Sequence, residues 1–130
     1  MNFATLFEEK QYEFISQYFG MVNTIQEALN YLEPCLSDLA AEEAEFIISE
    51  IHLSLEQLAE SNTLLNRVFY EQEGILDALA QFDDLIEYMW MMDDHSGDST
   101  VIKGVLQELM PVFSKWKSTI ESEFIPYLSH

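Results

Sequence analysis

Basic residues are almost missing from one long stretch of this chain. Only 5 of 130 residues are Lys or Arg, against 24 Asp or Glu, for a formal net charge of −19. Residues 11–102 hold 19 of those acids and one base, Arg67. From Lys103 onward three bases (Lys103, Lys115, Lys117) balance three acids (Glu108, Glu121, Glu123). Such a field repels nucleic acid and anionic lipid, and it speeds encounter with basic partners. Strong net charge also simply keeps a small protein soluble, and composition does not choose between these roles.

Other scarcities exclude more. One cysteine, Cys35, excludes an internal disulfide and any CxxC zinc or redox motif, and it fits a reducing compartment. With 4 Gly and 3 Pro scattered singly there is no linker, low-complexity tract or glycine-rich phosphate loop. No apolar run approaches the ~18 residues that span a bilayer, and the start MNFATLFEEK lacks the basic and apolar regions of a signal peptide. The expectation is a soluble, cytoplasmic protein forming one domain over 1–130, a length at which folding buries roughly two-thirds of the unfolded surface.

What is present is apolar spacing of three and four, the helical period, without sustained alternation. Thr5-Leu-Phe-Glu8 fits a capping box. Phe14, Tyr18, Val22, Ile25, Leu29 and Leu32 then share one face, and Pro34 marks the expected end of the first helix. A second helix, capped by Ser37 or Asp38 with Glu42, Glu43 and Glu45 near its positive end, buries Ala44, Ile48, Ile51, Leu55 and Leu58. Ser61-Asn-Thr63 is the preferred break into a third helix; the rival is one helix running on to Gln72 and broken at Gly74. Leu76, Leu79, Phe82, Ile86 and Met89 form the next stripe. Ile102, Leu106, Leu109, Phe113, Trp116, Ile120 and Phe124 form the last, with a kink expected at Pro111. Four stripes with short connections predict an all-α fold, an antiparallel up-and-down four-helix bundle.

Chemistry finds little footing. A carboxylate-bridged di-metal centre needs Glu-x-x-His on two helices, but His52 follows Ser49 at that spacing and His95 follows Met92. Asp93, Asp94, His95 and Asp98 lack the EF-hand order, and the simpler reading has Asp98, Ser99 or Thr100 capping the last helix. Cys35 has no motif linking it to a histidine. Trp116 between Lys115 and Lys117 reads as a buried Trp with solvated flanks. No catalytic residue, cofactor or metal ligand is assigned, and a metal-binding bundle is the least supported alternative.

One segment stands out: Tyr88–Thr100, YMWMMDDHSGDST. Five consecutive apolar residues, at about 100° per residue, cover every side of a helix end, including sides that meet water. Something besides the bundle core must cover part of them: the last helix, a second copy of the chain, or a partner. Met and Trp are adaptable at binding surfaces. The expectation is a non-enzymatic interaction module of adaptor, chaperone or regulator type, with Trp90, Met91 and Met92 as contacts and Asp93 and Asp94 steering. The alternative is an acidic inhibitor, immunity-like or nucleic-acid-mimicking protein, whose paired acids (Glu42-Glu43, Asp83-Asp84, Asp93-Asp94) stand in for phosphates on a basic partner. A homodimer is compatible with both.

Overall fold

A computed structural model describes the backbone of residues 3–37, 41–95 and 97–128, and the side chains of these except 3–8 and 41. The chain is an all-α bundle of five helical segments: α1 (Phe3–Ser37), α2 (Ala41–Val68), α3 (Glu73–Ala80), α4 (Phe82–Asp94) and α5 (Ser99–Leu128). Only Gln81 separates α3 from α4, so the two form one broken arm. α1 packs on α2 and α5, α5 packs on α3 and α4, and α2 closes the ring against α3 and α4. Along α1 and α2, Tyr18 meets Asn62 and Tyr31 meets Glu43, so the pairing runs in opposite sense. Along α1 and α5 the same holds: Ser37 meets Lys103 and Gln26 meets Ser114.

Each arm is helical because burial recurs at steps of three and four. In α1 the buried stripe is Ile15, Tyr18, Val22, Ile25, Leu29, Leu32 and Leu36, with Phe14 only partly covered. Backbone helix begins at Phe3, two residues before the expected capping box; the side chains of Thr5 and Glu8 lie outside the described set. Pro34 does not end the helix. It removes one hydrogen bond, to the carbonyl of Asn30, and the chain continues to Ser37, burying Cys35 and Leu36. Ser37 is therefore the last residue of α1 rather than a cap of α2, and Asp38 lies outside the described residues.

The expected break at Asn62 is absent. α2 runs unbroken to Val68, and Asn62 occupies a core position between Leu58 and Leu65, where the Tyr18 hydroxyl donates to its Oδ1 at 2.7 Å. A buried polar group is tolerated when it is hydrogen-bonded, and this one has a partner on the facing helix. The chain instead turns over residues 69–72, just before Gly74, close to the rival reading. In the third arm the buried set is Ile75, Ala78, Leu79, Phe82, Leu85, Met89 and Met92, with Leu76 and Ile86 turned partly outward. Gln81 itself lies in the helical region of backbone space, and burial keeps its steps of three and four across it, through 75, 78, 82, 85, 89 and 92.

α5 is one continuous helix through Pro111 and Pro126, and the Asp98 carboxylate accepts the Val101 N–H at 3.3 Å as its N-cap. Trp116 is buried against Phe82 and Phe113, and its indole N–H donates to the Ala78 carbonyl at 3.0 Å, fastening α5 to α3. Lys117 pairs weakly with Glu121 on its own helix, at 3.9 Å. No helix among the described residues is long and apolar enough to cross a membrane.

Candidate protein interface

α4 decides which of the five apolar residues face water. Its core face carries Phe82, Leu85, Met89 and Met92, at helical steps of three and four. Trp90 and Met91 follow Met89 by about 100° and 200°, which carries them off that face; they are 60 % and 45 % exposed. Met92 is fully buried at 0 % and drops out of the expected contact set. Its place, three residues after Met89, returns it to the core. Tyr88 is half-buried.

Met91 and Tyr88 line a groove of about 350 Å³ between α4 and α5, together with Val112 and three acids: Asp84, Glu87 and Glu108. No lysine or arginine lines it. An apolar floor with three carboxylates and no internal counter-charge is suited to a lysine or arginine whose methylene stem lies along Tyr88 and Met91. Glu108 joins this set from α5, a residue the sequence reading passed over because it lies 17 positions beyond Met91. Helix-period labels do not show which faces of two helices meet.

Asp93 and Asp94 have different surroundings. Asp94 is exposed at the end of α4. Asp93 Oδ2 lies 2.8 Å from His52 Nδ1 on α2, a close contact without the alignment of a hydrogen bond. Glu56 Oε1 sits 3.0 Å from the other ring nitrogen. His52 thus bridges α2 and α4, and Asp93 is engaged within the bundle. The Glu56 half of this cluster was legible as an i, i+4 pair; the Asp93 half, 41 residues away, was not. No group of three or more His, Cys, Asp or Glu among the described residues is arranged to hold a metal ion. Cys35 is buried in the last full turn of α1.

Two tyrosines carry perturbed hydroxyls. Burial pushes the Tyr18 phenol far up. Tyr31 is pushed up to about 12, first because its hydroxyl donates to Glu43 at 2.7 Å and then because that carboxylate's charge opposes ionisation. Neither adjoins the groove, and both join α1 to α2.

The fold and surface define a class: an acidic helical bundle presenting Trp and Met beside uncompensated carboxylates. Residues 13–119 match the family described as Domain of unknown function (DUF8042), and the chain belongs to that family. No curated protein and no solved structure matches it. The groove, Trp90 and Met91 fall inside the matched span.

Proposed function

We propose that this protein is a non-enzymatic interaction module that binds a basic partner protein through the α4–α5 groove and the adjoining Trp90. The observation that carries this reading is the pairing of two large apolar side chains held in water, Trp90 and Met91, with a groove whose charged lining is entirely acidic. Aromatic and methionine side chains supply contact area at interfaces. Carboxylates around them select partners by sign and raise the encounter rate. Trp90 and Met91 are the contacts, with Asp84, Glu87 and Glu108 as selectors and Asp94 as a steering charge.

The test is capture from the source cell's lysate with tagged wild type and with the W90A/M91S double variant, at about 50 mM and about 500 mM salt, a range that screens exposed charges strongly. A basic protein retained by wild type at low salt, weakened at high salt and lost with the variant supports the proposal. Equal capture by wild type and variant contradicts it. Competition by DNA for the same partner would favour the mimic reading, in which carboxylates occupy a phosphate-binding site. Recovery of the chain alone would favour a homodimer.

A further inference from the structure

The outward face of α2 carries a second apolar line. Phe46 is 65 % exposed, Leu53 54 %, and Leu64 and Val68 49 % each. At about 100° per residue, positions 46, 53 and 64 fall within about 20° of one another, and 68 lies within about 40° of 46. Ala44, Ile51, Leu58 and Asn62, which face the core, lie about half a turn away. Singly exposed leucines are ordinary on any surface. Four large side chains in register over about 30 Å of one helix form a stripe.

Acids frame this stripe on both sides. α2 bears Glu42, Glu43, Glu45, Glu50, Glu56 and Glu60, and its only Lys or Arg is Arg67. Among the described residues no lysine or arginine forms an ion pair with any of these glutamates; Glu43 receives the Tyr31 hydroxyl and Glu56 meets His52. A second copy laid along the stripe would set six carboxylates against six, and like charges across an interface cost affinity. A duplex or an anionic bilayer meets the same repulsion.

We infer that the outward face of α2 docks a basic amphipathic helix from a partner protein. Its apolar residues would pack along Phe46, Leu53, Leu64 and Val68, and its Lys or Arg flanks would meet Glu42, Glu50 and Glu60. An apolar line matched to an apolar line, with complementary flanks, is the geometry by which helices pair lengthwise. The surface lies on a different helix from the Trp90 groove, and the inference stands or falls separately from it.

The experiment uses two labelled synthetic peptides of about 22 residues, the length of the stripe at 1.5 Å per residue. Both contain only leucine and lysine in equal proportion, one ordered to be amphipathic as a helix and the other scrambled. Fluorescence anisotropy is read against the full chain at about 150 mM salt. The amphipathic peptide is expected to bind at least about tenfold tighter than the scrambled one, with the difference lost in the L53Q/L64Q variant and kept in W90Q; tenfold corresponds to about 1.4 kcal/mol. Circular dichroism establishes that each variant is folded. Equal binding of the two peptides overturns the inference, since charge alone would then suffice. Unchanged binding by L53Q/L64Q overturns it too, and loss with W90Q instead moves the site to the α4–α5 groove. Sedimentation showing a dimer of wild type that L53Q/L64Q abolishes would assign the stripe to a second copy and also overturn it.

Discussion

Tyr18 and Asn62 make a buried link between side chains on the core stripes of α1 and α2. The link is asymmetric, because Asn62 Nδ2 is buried with no protein partner while its Oδ1 accepts the Tyr18 hydroxyl. Removing a single partner leaves an orphaned group, whereas removing both does not. Tyr18→Phe should therefore destabilise the fold by about 1–3 kcal/mol in urea titration, and adding Asn62→Leu should recover most of that loss. Equal stability of wild type and Y18F would show that the bond contributes nothing. The two tryptophans make a second contrast at this scale. With Trp116 buried and Trp90 exposed, W90F should retain blue-shifted emission shielded from acrylamide, whereas W116F should retain red-shifted, quenchable emission. Trp116→Ala should cost ~3–5 kcal/mol, and W90A should stay within about 0.5 kcal/mol of wild type.

At the scale of the helices, the junction between α1 and α2 is expected to weaken at alkaline pH. Tyr31 has a higher folded-state pKa, about 12, than its ordinary 10.0, because its protonated hydroxyl is bound by Glu43. Its contribution to stability is complete below pH 10 and is lost as pH rises through about 12. Alkaline melting of Y31F should show a smaller loss over that window than wild type, and identical profiles would contradict the assignment. The same elements show how much the sequence disclosed. The stripes of α1, α2 and α5 were legible because apolar side chains repeat at the helical period, and that period survives any tertiary arrangement. Asn62 misled because a polar residue within a Ser-Asn-Thr run reads as a cap, and only the Tyr18 hydroxyl, 44 residues away, explains why it is buried. Pro34 misled because the restriction on a residue before proline is local, while Cys35 and Leu36 gain burial by continuing the helix. Trp90 and Met91 were visible as a surplus of apolar residues. Met92 was not separable from them until the phase of α4 was known, and the acids completing the groove came from two helices.

Across the whole molecule, the net charge of −19 bears on folding. Among the described residues a single ion pair involves a lysine or arginine, Lys117 with Glu121; the other two close contacts of carboxylates are with the His52 ring, which is charged only when protonated. Self-repulsion is thus largely uncompensated, and it works against the compact state. Raising salt from about 20 mM to about 500 mM should raise the melting temperature by screening that repulsion; a melting temperature that falls or stays constant would show that the acids are not repelling one another in the folded state. On the proposed function, the same field would favour a basic partner at the groove. The central claim concerns where a partner sits, and zero-length carbodiimide coupling in lysate tests it most directly, since that reagent joins a carboxylate to a lysine amine in contact with it. The account predicts coupled peptides joining Asp84, Glu87 or Glu108 to a lysine of another protein, reduced in W90A/M91S. Coupling of these three carboxylates to no other protein, while acids elsewhere on the chain do capture one, would contradict it.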